Sequence, residues 1–274
     1  MKKNRNGKNK KFMNLDLSRN MGSGDDNLGA THDDDGGDGC EVVGNRNNNI
    51  SVGLLNIRSL SPKVDKVFEI MNNGLDIFVI TESWHGSSDD ICVKSAMPPG
   101  FCFADFLRPR DPYHGGIIVY LRSTYRFTKI ELPPLKTFEA VALRVCLNKL
   151  DVLLLAVYRP GSAPISPLFF QELLTVLEHI SMSGTYMLIA GDFNLHIENS
   201  DDCHVKTFFD ILESFCLSNV VDQPTHIKGG ILDLIISSHN FPILSCKVDP
   251  TGIYSDRIIV YYKFVYLYHV NLML

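Results

Sequence analysis

The sequence predicts an α/β fold in which two β-sheets pack face to face and helices cover the outer faces. Two observations carry that expectation. Apolar runs of strand length recur from Ile50 to the end of the chain, while only two or three stretches show a helical period. The runs also come in two arrangements. Strand, helix and strand open the folded part, which suggests a parallel pair with a crossover; closely spaced strands joined by short turns follow, which suggest an antiparallel meander. Many strands with few helices fit a sandwich clothed by helices.

Taken in order, residues 50–57 (ISVGLLNI) form the first strand, ending in Asn56-Ile57-Arg58-Ser59-Leu60. Ser61 is expected to cap a helix with Pro62 in its first turn. Val64, Val67, Phe68 and Met71 share one face of that helix, and Gly74 stops it. Residues 76–81 (DIFVIT) are a second buried strand, followed directly by Glu82-Ser83-Trp84. Residues 86–115 are rich in loop formers, with Pro98, Pro99, Pro109 and Pro112, and enclose a short strand at 101–106. Strands are expected at 116–121, 126–132, 138–147 and 150–158, the last two as a hairpin turning at Asn148-Lys149. Ser166 should cap a helix that begins at Pro167 and buries Phe170, Leu173, Leu174, Leu177 and Ile180. A strand runs into Gly191-Asp192-Phe193-Asn194, and a further helix at 203–215 turns Val205, Phe208, Phe209 and Leu212 inward. Gln223-Pro224-Thr225-His226 is a turn, residues 231–237 are a strand, and 243–248 are expected to pair with it. Residues 251–257 form a loop, and 258–274 are an apolar stretch rich in Val and Tyr.

Composition separates the first 48 residues from the rest. They are rich in Asn, Gly, Lys and Asp, cannot bury enough apolar surface to offset ordering entropy, and are expected to be disordered; residues 49–274 form the domain. The basic charge of residues 1–19 cancels the acidic charge of residues 20–48, so the net charge of −5 belongs to the domain. That excludes a basic nucleic-acid sleeve; contacts to nucleic acid must be local or metal-assisted. The basic head could serve as a nuclear address, though a solvated tail is the plainer reading. The seven cysteines (Cys40, Cys92, Cys102, Cys146, Cys203, Cys216, Cys246) are odd in number and lack CxxC spacing, which reads as reduced, mostly buried thiols of an intracellular protein. No signal peptide opens the chain, no run is long enough to span a bilayer, and no membrane partner is expected.

The chemistry-bearing residues sit at strand ends: Asn56, Glu82, Tyr158, Asp192, Asn194, Asp233 and Asp256. Asp192 and Asn194 stand two apart and in extended backbone share a face. A carboxylate there can orient or deprotonate a water, and an amide can hold a phosphoryl oxygen. Taken singly, each is as well read as a polar strand exit. Asp233, flanked by Leu232, Leu234, Ile235 and Ile236, needs a hydrogen-bond partner if it points inward and needs none if it points to solvent.

In chain order, Leu55-Asn56-Ile57-Arg58-Ser59-Leu60, Thr81-Glu82-Ser83-Trp84, Gly115-Gly116-Ile117-Ile118, Val157-Tyr158-Arg159-Pro160, Gly191-Asp192-Phe193-Asn194, Leu232-Asp233-Leu234-Ile235 and Ser255-Asp256 resemble the motifs of the endonuclease/exonuclease/phosphatase superfamily. Within it, they look most like the endonuclease domains of LINE-type (non-LTR) retrotransposons, as does the Gln223-Pro224-Thr225-His226 turn. The resemblance covers about residues 50–265. It implies a four-layer α/β sandwich, two mixed β-sheets face to face with helices on the outer faces. It also implies Mg²⁺ or Mn²⁺ as cofactor and the DNA phosphate backbone as substrate; no protein partner is implied. By the same resemblance Glu82 is the principal metal ligand, Asn56 assists at metal and phosphate, Asp192 orients or deprotonates the attacking water, and Asn194 and Tyr158 hold the scissile phosphate. Arg58, Arg108, Arg110 and Arg159 are the candidate substrate-binding residues.

One departure weighs most. The family's last motif is Ser-Asp-His, with the Asp as metal- or His-orienting partner; here it is Ser255-Asp256-Arg257. Asp233, which in the family orients that His, loses its client. Arginine stays protonated, offers only donors and cannot shuttle a proton. Arg58 replaces a metal-binding Asp, as is common in retroelements, and His114 is read as a loop histidine. The reverse transcriptase that such elements carry after the endonuclease does not follow in this chain. The expectation is therefore a weakened, metal-dependent DNA-nicking domain from a retroelement. The alternatives are an inactive nucleic-acid- or protein-binding remnant and, third, a metal-dependent phosphatase.

Overall fold

The computed structural model describes residues 49–265 except positions 110, 112, 148, 149, 183–185 and 254. The expected tail at 1–48, the hairpin turn at Asn148-Lys149, the substrate-binding role of Arg110 and the apolar end beyond Val265 lie outside the described residues.

The first strand, β1 (Asn49–Asn56), runs parallel to β2 (Ile77–Thr81). Between them lie a single 3-10 turn, Ser61–Lys63, and helix α1 (Val64–Asn72). Ser61 does not cap: it sits inside the turn, and no side chain caps the helix start. Val67 and Met71 are buried and Val64 half-buried, as expected, but Phe68 is exposed and Ile70 takes its place in the core. Gly74 ends the helix in left-handed backbone as expected. A five-residue helix, α2 (Ile91–Ser95), capped by the Asp90 side chain, interrupts the loop-rich stretch and was not anticipated. Next come β3 (Phe101–Phe106), β4 (Ile117–Arg122), β5 (Arg126–Ile130), β6 (Glu139–Leu147) and β7 (Leu150–Tyr158). The rest comprises α3 (Pro167–Ser181), β8 (Tyr186–Asp192), α4 (Cys203–Ser214), β9 (Leu217–Asn219), β10 (Asp233–Ser238), β11 (Ile243–Ile253) and β12 (Ile258–Val265).

These strands form two mixed six-stranded sheets, ordered β11-β12-β1-β2-β4-β3 and β5-β6-β7-β8-β10-β9. The meander is smaller than expected: β5, β6 and β7 are antiparallel neighbours, but β4 belongs to the other sheet. β11 likewise pairs with β12, not with β10. Three apolar layers hold the sandwich together. One lies between the sheets, with Val52, Leu54 and Val79 meeting Leu143, Leu154 and Ala190. A second joins one sheet to α3 and α4 through Phe169, Leu173, Phe193 and Phe208, and a third joins the other sheet to α1 and α2 through Val67, Met71, Phe78 and Val93. Helices, sheet, sheet and helices make the four layers the resemblance implied. Phe170 and Leu174 in α3 and Phe209 in α4 were expected inside. Phe170 is half-buried and Leu174 and Phe209 are exposed, while Phe169 and Val176 take the core positions in α3.

Among the described residues no cysteine forms a disulfide; Cys203 and Cys216 are exposed and the others half-buried, so the expectation of mostly buried thiols is corrected. No helix among the described residues is long and apolar enough to cross a membrane.

Candidate active site

Strand parity builds the site. Along β1, Val52 and Leu54 point into the core between the sheets, so Asn56, two further on, points the same way at the strand's end. The same alternation carries Leu154 and Ala156 to Tyr158, and Leu188 and Ala190 to Asp192. Register brings these ends together. Asn56 pairs with Thr81, Tyr158 with Asp192, and Asp192 with Asp233 at the start of β10. Polar side chains thus close one end of the apolar inter-sheet layer. Gly191 makes the approach of β7 and β8 possible, because a Cβ there would stand 2.1 Å from the Val157 carbonyl oxygen.

Asn56 and Asp192 are completely buried. Asn56 Nδ2 donates to Glu82 Oε1 (2.8 Å) and to Asp192 Oδ2 (2.7 Å), while Asn56 Oδ1 accepts the Arg58 N–H (3.2 Å). Asp192 Oδ2 also accepts from Asn194 Nδ2 (3.0 Å) and lies 2.9 Å from Arg257 Nη2; Asp192 Oδ1 accepts the Asn194 N–H (3.0 Å). Arg257 reaches Asp233 Oδ2 through Nη1 (3.2 Å) and Asn194 Oδ1 through Nη2 (2.7 Å). Asp233 therefore points inward, and the arginine is its new client. Thr225 in the Gln-Pro-Thr-His turn holds this corner, its Oγ1 accepting the N–H groups of Leu232 and Asp233. Ser255 Oγ donates to the Asn56 carbonyl (3.0 Å), tying the last motif to the first. Arg58, Glu82, Tyr158, Asn194, Asp256 and Arg257 line an open cleft of about 250 Å³ over this network.

The backbone is strained around the cleft. Arg58, Ser59, Glu82, Trp84 and Asn194 all adopt left-handed φ, between 46° and 80°. Such conformations cost an L-residue roughly 1–2 kcal/mol and cluster at functional sites.

Two acids share one cation. Burial, then the charge of Asp192, raises the Asp233 pKa; burial raises that of Asp192, against Arg257 and the Asn56 and Asn194 hydrogen bonds. Of the two, Asp233 is pushed further towards its protonated form, because Asp192 accepts four donors that favour its charge. Burial pulls the Arg257 pKa down, but Asp233 and Asp192 outweigh it, so the guanidinium stays charged. The Tyr158 hydroxyl is pushed up by burial and by Glu82 beside it, and keeps its proton. Asp256 pairs with Arg58 (2.9 Å) and lies 3.5 Å from His226 Nε2.

The expected substrate arginines part company here. Arg58 stays on the cleft. Arg159 is 3 % exposed and spends its donors on the carbonyls of Phe193 (2.7 Å), Asn194 (2.7 Å), Ala163 (2.9 Å) and Pro160 (3.3 Å); it straps loops together and is closed to a substrate. Arg108 pairs with Glu139 and lies over the Tyr158 ring, 5.7 Å from its centroid. His114 is an exposed loop histidine, as expected, paired with Asp111 and near the Trp84 ring. Sequence reasoning missed Glu139, which also accepts the Gly116 N–H (2.7 Å). The signal was there: a lone carboxylate opening the apolar run of β6 poses the same question as Asp233.

The structure contains oxygen donors that fit a hard divalent cation. Glu82 and Asp256 line one cleft, and Asp256 Oδ1 is buried without a partner among the described residues. One or two carboxylates completed by waters suit Mg²⁺.

A model of the Endonuclease/Exonuclease/phosphatase family matches residues 49–256. Similar solved structures include the endonuclease domain of TRAS1, a telomere-specific non-LTR retrotransposon (15% identity, 79% of this chain and 98% of that one, TM-score 0.64). They also include the AP endonuclease LMAP from Leishmania major (14%, 80% and 88%, TM-score 0.63) and the 3'-5' exonuclease NExo from Neisseria meningitidis (17%, 79% and 100%, TM-score 0.62). At such identities the likeness speaks for the fold. No curated protein sequence matches the chain. Since the matched span runs from the first residue of β1 to Asp256 and takes in both sheets and the strand ends between them, the chain belongs to the endonuclease/exonuclease/phosphatase family.

Proposed function

We propose that this domain is a divalent-metal-dependent phosphodiesterase of the DNA-nicking type, retroelement in origin, whose turnover is held down by Arg257. The observation that carries the reading is the Arg257 guanidinium lodged between Asp192, Asp233 and Asn194, with Nη2 2.9 Å from Asp192 Oδ2. Glu82, with Asp256, would hold Mg²⁺ or Mn²⁺, and the bound ion stabilises charge on the phosphoryl oxygens. Tyr158 and Arg58, both on the cleft, donate to those oxygens. Asp192 is left with little to offer a water. Its Oδ2 already takes three donors, and one acceptor position remains on Oδ1. Arg257 can bond a phosphate but cannot pass a proton.

A second reading, binding without turnover, is favoured by the same saturation. Asn194 Oδ1 is taken by Arg257, and its Nδ2 by Asp192 and the Arg159 carbonyl (2.8 Å). Nicking of supercoiled plasmid separates the two. The unaltered chain should nick weakly or not detectably with Mg²⁺. Arg257→His should raise the rate by about 10²–10⁴, the usual worth of a positioned acid/base group, and adding Asp192→Ala should remove the gain. Robust nicking by the unaltered chain would mean that Arg257 is no lesion. No gain in a folded Arg257→His variant would hand the site to the binding reading.

A further inference from the structure

Behind Glu82 lies a set of polar side chains that the phosphodiesterase reading leaves unused. Ser83 is 1 % exposed and His85 3 %. Ser83 Oγ lies 2.6 Å from His85 Nδ1, His85 Nε2 lies 3.2 Å from Asp105 Oδ2, and Ser88 Oγ donates to that same oxygen at 2.7 Å. Burial pushes the Asp105 pKa up, but the His85 and Ser88 hydrogen bonds outweigh it, so Asp105 is an ionised acceptor. With Asp105 as acceptor, His85 donates through Nε2–H, and Nδ1 is left to bond the Ser83 hydroxyl.

Serine, histidine and aspartate in a chain are the parts of a nucleophilic triad. Ser83 cannot act as one. Its hydroxyl is buried, and Gly116 packs against it so closely that a Cβ at 116 would stand 2.7 Å from Oγ. The chain of hydrogen bonds grips backbone instead. Glu82 and Trp84 on either side are both left-handed, with φ of 51° and 53°. The Ser83 N–H donates to the Gly116 carbonyl (3.3 Å), and the Ser83 carbonyl accepts from the Leu60 N–H (2.9 Å). These two backbone bonds fix where the segment lies. A buried hydroxyl locked to a locked imidazole fixes its rotation, and with it the direction of the preceding side chain.

We propose that Asp105, His85 and Ser83 form a buried brace that sets the direction of the Glu82 carboxylate, making Asp105 and His85 positioning residues for a divalent cation. The proposal rests on the reading of Glu82 as a metal ligand. Partners that orient a ligand are commonly worth 10–100-fold in metal affinity. Mn²⁺ is titrated calorimetrically into the full chain and into Glu82→Gln, Asp105→Ala and Asp105→Asn, with urea unfolding of each recorded separately. Asp105→Ala should weaken Mn²⁺ binding by about 10–100-fold. Asp105→Asn should stay near wild type, because its amide oxygen still accepts from His85. Ser83→Ala, which removes only the hydroxyl, should weaken binding at least tenfold and serves if Asp105→Ala does not fold. Absence of Mn²⁺ binding in the wild type, or equal binding by Glu82→Gln, refutes the reading of Glu82. Loss in Glu82→Gln with unchanged affinity in Asp105→Ala and Ser83→Ala refutes the brace alone, even if their urea midpoints fall.

Discussion

Asp233→Asn should flatten the pH dependence of stability. In the folded protein Asp233 is fully buried, with Asp192 opposite it in register and Arg257 at 3.2 Å as its cation. Burial first, then the Asp192 charge, pushes its pKa up to about 8 from an ordinary 3.8. Between those values the folded chain holds a proton that the unfolded chain releases. The stability contributed by the protonated acid is therefore complete below pH 3.8 and is lost as pH rises through 8. One proton corresponds to at most about 1.4 kcal/mol per pH unit. Asp192, pushed up to about 6, adds loss of the same sign over the lower part of that range. Asparagine does not titrate, and its amide oxygen still accepts from Arg257. From pH 5 to pH 7, Asp233→Asn should therefore gain roughly 1.5–3 kcal/mol relative to wild type, the lower figure applying if Asp192 takes over the shared proton. Urea unfolding at each pH unit measures it. Parallel wild-type and mutant curves across that range would refute the inward, proton-holding Asp233.

Two further outcomes are expected. Glu82→Gln should abolish the thermal stabilisation given by Mg²⁺ or Mn²⁺, and Asn56→Ala should only weaken it, since a carboxylate is the hard charged ligand and the amide a helper; stabilisation undiminished in Glu82→Gln would move the cation elsewhere. Arg159→Met should cost about 3 kcal/mol in urea unfolding, because several loop carbonyls lose their donors. If its stability is unchanged while nicking by an Arg257→His background falls, Arg159 meets the substrate after all.

The strand ends were legible in the sequence because each is an apolar run broken by a polar residue. ILDLI, MLIAGDFN and LLNIR announce Asp233, Asp192 and Asn56 without any knowledge of the fold. Bringing them together depends on register and sheet order, which pattern alone does not contain. The helix faces are right at their centres (Val67 and Met71, Leu173 and Leu177, Val205 and Phe208) and wrong at their margins, because a residue at the edge of the stripe, such as Phe68, Phe170 or Phe209, satisfies a 3.6 period about as well as the one that is buried. β11 was given to the wrong sheet since an apolar edge strand does not say which neighbour it will meet. Arg159 and Arg257 look alike on paper as donors for phosphate. Backbone carbonyls, which carry no sequence signature, surround the first, and carboxylates the second.

At position 257 stability and catalysis pull apart. A neutral imidazole has a single N–H to share among Asp192, Asp233 and Asn194, whereas the guanidinium bonds all three and brings a permanent charge to two buried acids. Removing one partner of such a buried charge set costs about 3–5 kcal/mol. The arginine therefore strengthens the strand-end network while occupying the acceptors that the proposed mechanism needs for a reacting water. A site losing function through unrelated damage would be expected to leave one of these carboxylates without a counterion. Here both face the same cation, and the strained loops that carry Glu82 and Asn194 keep their left-handed backbone. On the proposed reading the change is confined to one side chain, whose guanidinium bonds Asp192, Asp233 and Asn194 together. That is why a single reversal at position 257, with no repair elsewhere, is the decisive change to make.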